Sequence, residues 1–378
     1  APGSQLNHIG ASAFENCVSL MHIGLPSTVN KIESDAFKAT PFIANATEEF
    51  VVLGNGILYA YRGNAEIVML PKEIRQINEN AFRGASLRSF MFEEGSVLTS
   101  VGNYAFAEAV NLEHAIFPET MAAIGEGAFY NARKLAKLVL FFNSMAGSRI
   151  YIANTTNIFT GCMQSLEIYV TTSSREKFLE PDNNWEQIVR AQLGNPSWSN
   201  LFAGNLFYGD YWIYDNTTSN ITLIQYYGPD KDLVIPSRIG NADVIRLANY
   251  IVPRNVRTLS FSVGVYADPK VFGALNGLTE ITIRDALPRP SGEGAADPFR
   301  MNKDYIYDMV NANKGLTTIV TGGKLSISAI LGDRLPPAHI TTVKIFEGET
   351  TLAREMFKDC INIINIELPS SLTEVGAN

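Results

Sequence analysis

The chain has 378 residues, 46% of them hydrophobic, which is too long for one ordinary globular domain and indicates two domains or one repeat array. The formal net charge is −8 and lysine and arginine are not clustered, which disfavours nucleic acid and anionic membranes as partners. No apolar run reaches the roughly 18 to 20 residues that span a bilayer, so the sequence predicts no membrane insertion of this chain.

The dipeptide Ala-Phe recurs along the first part of the chain. Its copies are Ala13-Phe14, Ala36-Phe37, Ala81-Phe82, Ala105-Phe106 and Ala128-Phe129. The steps between the phenylalanines are 23, 45, 24 and 23 residues, so the period is 23 and the step of 45 is close to two periods. Such a period is the sequence signature of a repeat architecture.

Each repeat contains a short apolar alternation that ends at a proline, as in Ile23, Leu25 and Pro26. Alternate residues of a strand point to one side of the sheet, and proline cannot continue the hydrogen-bond ladder. One unit cannot bury its apolar side alone, so neighbouring units must stack and each adds a strand to a parallel sheet. The predicted parallel strands are residues 23–25, 90–92, 115–117, 138–140, 281–283 and 366–368.

Other segments interrupt or end the repeats. Residues 50–59 and 211–226 each resemble two strands joined by a turn, which predicts inserted β-hairpins. The amphipathic stretch 173–192, which contains Trp185, is interpreted as a capping helix and loop. Weaker repeats return from Phe272 onward, so the predicted domains are a capped array at 1–195 and, at 196–378, a hairpin segment followed by a second, degenerate array. Both chain ends fall inside a repeat, which indicates that the chain is a fragment.

The repeat pattern resembles that of a known family. The positions that carry the likeness are Ile9-Gly10, Ala13-Phe14, Cys17, Leu20, Ile23, Leu25-Pro26 and Val29. They resemble the BspA-type leucine-rich repeat of bacterial cell-surface proteins over residues 9 to about 170. The resemblance implies an α/β repeat fold, a right-handed leucine-rich-repeat solenoid with two consecutive arrays. It also implies an extracellular or surface location, with any signal peptide already removed, and an adhesive or interaction role.

Residues with chemical potential have simpler structural explanations. Cys17, Cys162 and Cys360 each follow a repeat phenylalanine by three residues, a position that takes small or apolar inward side chains, so we expect buried, unlinked thiols without metal. The histidines show no metal-binding spacing, and His22 and His114 share one repeat position that predicts solvated strand residues. Motifs for phosphate binding, acyl transfer and zinc hydrolysis do not occur, so we expect no catalytic residues, metal or cofactor.

The repeat register also predicts which side chains point away from the core. One outward column contains Gly24, Met69, Met91, Ile116, Val139 and Tyr169, and its neighbour contains His22, Ile67, Ser89, His114, Lys137 and Glu167. An apolar stripe exposed on such a face favours binding of an extracellular or host protein, with the candidate site Met69, Met91, His114, Ile116, Lys137, Val139, Glu167 and Tyr169. The bulky residues could instead simply suit a strand, or a hairpin or neighbouring domain could cover them. Two other functions stay open, a passive spacer and a glycan-binding module that uses Tyr169, Tyr208, Tyr211 and Trp212.

Overall fold

The computed structural model describes residues 3–141, 151–152, 157–175, 178, 185–194, 201–204, 206–209, 212–216, 220–226, 231–248, 256–262, 266–267, 275, 277–284, 306–324 and 326–377. The chain divides into two compact units, Ala1–Leu206 and Phe207–Asn378. Each unit contains a stack of short parallel strands, one from each successive repeat. The predicted parallel-strand solenoid is confirmed.

The first unit contains a parallel sheet of six strands, here called the first long-strand sheet. Its strands are Ile67–Leu70, Ser89–Phe92, His114–Phe117, Lys137–Leu140, Glu167–Thr171 and Leu201–Gly204. The predicted strands at 90–92, 115–117 and 138–140 lie inside three of them. Equivalent repeat positions pair across the sheet, so Lys137 stands beside His114 on one side and Glu167 on the other.

A second sheet in this unit is made of shorter strands. They are Phe50–Leu53, Ile57–Tyr61, Gln76–Ile77, Ser100–Val101, Ala123–Ile124 and Tyr151–Ile152. Phe50–Leu53 pairs antiparallel with Ile57–Tyr61, and the other neighbours pair parallel. The connection between the two antiparallel strands uses Gly54 and Gly56 at positive φ, a conformation that glycine adopts without steric cost. His8–Ile9 and Lys31–Ile32 form a separate parallel pair.

The repeat phenylalanines form an aromatic column inside the first unit. Neighbouring ring centroids are 4.9 Å apart for Phe82 and Phe106, 5.5 Å for Phe106 and Phe129, and 6.0 Å for Phe129 and Phe159. The column continues to Trp185, the first residue of the helix Trp185–Leu193, which overlaps the stretch 173–192 predicted to contain a capping helix. Burying one such large ring in each repeat makes the column a main source of stability.

The core of the first unit consists of two clusters of buried residues. One cluster runs from Ile9 to Ile57 and includes Phe37, whereas the other runs from Leu58 to Leu193 and includes the aromatic column from Phe82 onward. The antiparallel strand pair therefore lies where one cluster ends and the other begins.

The predicted strand at 23–25 is wrong. Residues 23–25 are not in a strand, although they lie within the continuously described range 3–141. The following repeat forms the short helix Pro41–Ala44 instead, with Thr40 as its N-cap and a proline at its start. Phe42 of this helix donates its backbone N–H to the carbonyl of Leu20 at 2.8 Å. A helix cannot supply the strand ladder that residues 23–25 would need.

The second unit contains a six-stranded parallel sheet, here called the second long-strand sheet. Its strands are Asp232–Val234, Thr258–Ser262, Glu280–Arg284, Thr318–Thr321, Thr342–Ile345 and Asn365–Glu367. The prediction at 281–283 is confirmed, while the strand predicted at 366–368 ends one residue early, at Glu367. The helices Ile327–Ile330 and 306–312 belong to the same unit.

Two further sheets complete the described part of the second unit. One is mixed and contains Leu206–Gly209, Trp212–Asp215, Ile221–Tyr226, Arg238–Ile239, Ala242–Leu247 and Tyr266–Ala267. Within it, Trp212–Asp215 pairs antiparallel with Ile221–Tyr226, and Ile221–Tyr226 pairs parallel with Ala242–Leu247. The other sheet is a parallel pair formed by Thr351–Ala353 and Glu374–Ala377.

Candidate interaction surfaces

The eight residues predicted to bind a partner lie on the outer side of the first long-strand sheet. Val139 pairs with Ile116 and with Tyr169, and Met69 pairs with Met91, so these apolar residues form one column. Lys137 joins His114 and Glu167 in the adjacent column. The core on the other side of the sheet is built from the alternate residues, such as Leu138 and Leu140. The eight residues therefore lie on the side of the sheet opposite to this core.

The predicted exposure of this surface is wrong. Val139 is 0% exposed, Ile116 2% and Met91 4%. His114, Lys137 and Tyr169 are also buried, and only Met69 and Glu167 of the eight candidates are partly accessible. Partner binding by these eight residues stays a prediction, because no contact in the structure bears on it.

The strand sequences explain why this surface is buried. Segments such as Phe90-Met91-Phe92 and Leu138-Val139-Leu140 are apolar at both alternating positions, which is typical of parallel strands covered on both sides. The outer side has an aromatic contact of its own, because Tyr169 stacks on Phe202 with ring centroids 5.0 Å apart. The apolar stripe thus belongs to a second hydrophobic layer.

A polar row crosses this buried layer. Ser89, His114, Lys137 and Glu167 occupy equivalent positions on four neighbouring strands. Ser89 Oγ lies 3.3 Å from His114 Nδ1, and Lys137 Nζ lies 5.9 Å from the centre of the Tyr169 ring. Burial lowers the pKa of Lys137 to about 8, while the negative charge of Glu167 opposes this shift. The two histidines predicted to be solvated therefore differ: His22 is exposed and His114 is buried.

The outer side of the second long-strand sheet is polar and partly open to solvent. One column across it contains Asp232, Thr258, Glu280, Thr318, Thr342 and Asn365, and the next contains Val234, Ser260, Thr282, Val320, Lys344 and Glu367. Of these twelve residues only Ser260 is buried. This side of the sheet is here called the open face.

Ion pairs hold several side chains of the open face in place. Lys344 Nζ lies 3.2 Å from Glu280 Oε2 and 4.0 Å from Glu367 Oε2, so one cation links carboxylates from two other strands. Arg257 donates two hydrogen bonds to Asp232, at 3.1 and 2.6 Å. These bonds lower the pKa of Asp232, and the hydrogen bond to Glu280 raises the pKa of Lys344. The open face thus presents both charges in a fixed arrangement.

The three cysteines are not bonded to one another. Cys17, Cys162 and Cys360 are free cysteines, but Cys17 is exposed and both Cys162 and Cys360 are half-buried, so the prediction of three buried thiols is wrong. Among the described residues, the repeat that contains Cys17 forms turn-side backbone hydrogen bonds with one neighbouring repeat only, through Phe14 and Asn16, which leaves this thiol accessible. Cys162 is more enclosed, and burial raises the pKa of its thiol to about 12. Within the described residues, no three His, Cys, Asp or Glu side chains come together as potential metal ligands.

Two of the aromatic residues considered for glycan binding are buried. Trp212 packs against Tyr226 with ring centroids 4.8 Å apart, and Tyr169 is covered as described above. Neither ring offers a free face on which a sugar could stack. Tyr211 and the side chain of Tyr208 lie outside the described residues.

The profile of the BspA type leucine rich repeat region matches residues 2–49, 54–175 and 337–378 in six copies. The chain belongs to the BspA-type leucine-rich-repeat family. The family match leaves out most of the second long-strand sheet, although its strands repeat the parallel register seen elsewhere. Among the described residues, no helix has the length and apolarity needed to cross a bilayer.

Several solved structures are similar to this BspA-type chain at low sequence identity. The pneumococcal vaccine antigen PcpA is 15% identical, with 99% of this chain and 84% of PcpA covered and a TM-score of 0.27. A leucine rich cell surface protein from Faecalibacterium prausnitzii is 13% identical, with 84% and 92% covered and a TM-score of 0.24. A leucine-rich repeat protein from Bacteroides ovatus is 15% identical, with 98% and 78% covered and a TM-score of 0.28. Comparison with curated proteins gives no significant match.

Proposed function

We propose that this chain is a non-catalytic interaction protein of the cell surface or the extracellular space, and that it contacts a protein partner through the open face. Membership of the BspA-type family supports the surface location and the interaction role, since leucine-rich-repeat solenoids typically present surfaces and do not catalyse reactions. The partner is a protein of a host or neighbouring cell.

The observation that carries the proposal is the contrast between the two long-strand sheets. Two outward valines at equivalent strand positions differ in exposure: Val139 is 0% exposed and Val234 is 48% exposed. A long row of accessible side chains on rigid strands can contact a protein without first being uncovered.

The charges of the open face suit a specific protein contact. Lys344 forms ion pairs with Glu280 and Glu367, so two carboxylates flank its ammonium group. Fixed charges of this kind select partners by complementarity and penalise mismatched ones. Scattered threonines between them supply hydroxyl groups that both donate and accept hydrogen bonds.

A binding assay with a charge-reversed open face tests this proposal. The fluorescently labelled chain is added to intact host cells and to neighbouring bacterial cells, and the variant carries Glu280→Lys and Glu367→Lys. A matched control carries Glu73→Lys and Glu94→Lys, two exposed glutamates of the first unit that change the net charge equally. We expect at least tenfold weaker binding for the open-face variant and unchanged binding for the control.

Treatments of the cells separate the alternatives. Mild trypsin treatment should abolish binding if the ligand is a protein, whereas sensitivity to glycosidases alone would indicate a glycan. Binding of the charge-reversed variant at the level of the parent would exclude the open face. If the parent binds no cell type, the passive spacer becomes the better explanation.

A further inference from the structure

Backbone hydrogen bonds join neighbouring repeats on the side of the Ala-Phe segment. Phe14 donates its N–H to the carbonyl of Ala36 at 2.7 Å, and Ser12 and Asn16 donate to Ser34 and Lys38 at 3.1 and 2.9 Å. Phe106 repeats the central bond, to Ala128 at 2.8 Å. The two flanking donors, Ser12 and Asn16, have positive φ values of 54° and 60°. We call this set of bonds the turn ladder.

The turn ladder is interrupted after the repeat that contains Phe37. The next Ala-Phe dipeptide lies 45 residues further on, and at the intermediate level the chain runs through the strand Ile57–Tyr61. The Phe37 N–H donates to the hydroxyl of Tyr59 at 3.0 Å, so a side chain replaces the missing carbonyl. Asp35 and Ala39 have the same positive φ as Ser12 and Asn16. Their N–H groups, however, have no acceptor among the hydrogen bonds of the described residues.

On the other side of the interruption, backbone carbonyls lack the hydrogen-bond donors that equivalent carbonyls have in other repeats. The carbonyl of Glu79 is equivalent to that of Ser34, yet no backbone or side-chain donor of the described residues reaches it. Only the central position is paired, because Tyr61 donates its N–H to the carbonyl of Ala81 at 2.8 Å. Two ladder donors, the N–H groups of Asp35 and Ala39, and two ladder acceptors, the carbonyls of Glu79 and Arg83, therefore lack partners among the described residues.

A groove with a volume of about 330 Å³ lies between these two edges. Asp35, Ala39 and Thr40 line one side, Asn78, Glu79 and Asn80 line the other, and Ala44 and Tyr59 also border it. At this level the strand Ile57–Tyr61 replaces a turn, so the two edges leave a space beside Tyr59. Neighbouring strands lie about 4.8 Å apart, so this space can take one extended chain. The Tyr59 hydroxyl accepts from Phe37 and keeps its own proton available for an acceptor in the groove.

The groove has one carboxylate without an ion pair among the described contacts, that of Glu79. Lys38 is paired with Asp35 at 2.9 Å and with Glu15 at 3.6 Å. The half-buried carboxylate of Glu79 has no ion pair or hydrogen bond among the described contacts. Partial burial and the nearby charges of Asp35 and Glu126 raise the pKa of Glu79, which shows that its charge lacks compensation.

We propose that this groove is a peptide-binding site that takes one extended segment of a partner protein, with a lysine or arginine beside Glu79. The backbone of such a segment would accept hydrogen bonds from Asp35, Ala39 and Tyr59 and donate one to the carbonyl of Glu79. This is strand addition at an unpaired edge, in which backbone bonds supply affinity and one side chain supplies selectivity.

Selection from a library of random heptapeptides displayed on phage, against the intact chain, tests the proposal. We expect enrichment of peptides with a central basic residue, and Glu79→Gln should weaken the best of them roughly tenfold, because one charge-assisted contact is lost. Ala44→Trp should block the groove from an exposed position without removing any of its donors. Ser86→Trp, at an exposed position away from the groove, is the matched control and should bind like the parent.

Hydrogen exchange gives a second readout that a purely structural role would not change. Addition of the selected peptide should slow exchange at the Asp35 and Ala39 amides at least tenfold, and leave Ser12 and Asn16 unchanged because they are already bonded. Selection that yields no basic peptide, equal binding to Ala44→Trp, or protection elsewhere would overturn the proposal. The variant with Glu280→Lys and Glu367→Lys should retain the peptide, which separates this site from the open face.

Discussion

The rings of Phe82 and Phe106 lie in almost parallel planes, 6° apart, with centroids separated by 4.9 Å. They occupy the same position in adjacent repeats, so the contact joins two repeats of the first unit. Each ring of the column is held between two neighbours and fully buried. Loss of one ring therefore weakens two interfaces at once.

Replacement of Phe106 by alanine tests the aromatic column. Phe106→Ala should lower the free energy of unfolding by about 3 to 5 kcal/mol, through lost burial and the cavity left behind. Val110→Ala in the same repeat is the control, because Val110 is 44% exposed and should cost within about 0.5 kcal/mol. Denaturant unfolding of both variants measures the difference. Equal stability of the two would show that the ring is not part of the core.

Substitution of the outward valines Val139 and Val234 tests whether the outer side of the first long-strand sheet is buried. Val139→Lys should cost at least about 3 kcal/mol, because it places an unpaired ammonium group in a buried layer. Val234→Lys makes the same change on the open face and should cost within about 0.5 kcal/mol. Thermal unfolding of the two variants measures this contrast. A mild effect of Val139→Lys would mean that the outer side of this sheet is accessible in solution.

The cysteines should label in a fixed order. Only the thiolate reacts with iodoacetamide, and Cys17 is the exposed one of the three. Cys360 should react more slowly, since burial and Asp359 raise its pKa. Cys162 should stay unlabelled at pH 8, because its pKa is raised to about 12 and its Sγ–H donates to the carbonyl of Phe129. Peptide mass spectrometry before and after denaturation reads this order, and early modification of Cys162 would contradict it.

Lys137 should make stability depend on pH in the alkaline range. Folding lowers its pKa from about 10.5 to about 8, so between these values the unfolded state binds more protons than the folded state. The contribution of Lys137 to stability should therefore be lowest below pH 8 and rise by up to about 3 kcal/mol as the pH approaches 10.5. Lys137→Met is the comparison. The difference in unfolding free energy between parent and variant, measured at several pH values, should show this rise, and a flat difference would mean that the lysine is solvated.

Five of the six parallel strands predicted from the sequence coincide with or overlap observed strands. Leu138 and Leu140 mark the inward side of their strand through the repeat period, and Phe82 and Phe106 mark the aromatic column. The strand at 23–25 could not be predicted correctly, because a strand needs a neighbour and the next repeat forms a helix at Pro41. The local sequence pattern of residues 23–25 cannot show that the neighbouring strand is missing.

The burial of Val139 and Lys137 was harder to predict. Alternation assigns a side of the sheet to each residue but does not say whether that side meets solvent. The apolar run Leu138-Val139-Leu140 was the available signal, since strands open to water on one side normally alternate with polar residues. The groove near Tyr59 left only an indirect trace, the doubled step between Phe37 and Phe82.

The separation of the core between Ile57 and Leu58 also affects how the molecule unfolds. In a repeat stack, cooperativity passes only through contacts between adjacent repeats. Ile57 and Leu58 are neighbours in sequence but belong to different clusters, so the packing that transmits cooperativity is thin at this level. We therefore expect most of the segment before Leu58 to open at a lower free energy than the aromatic column from Phe82 to Trp185.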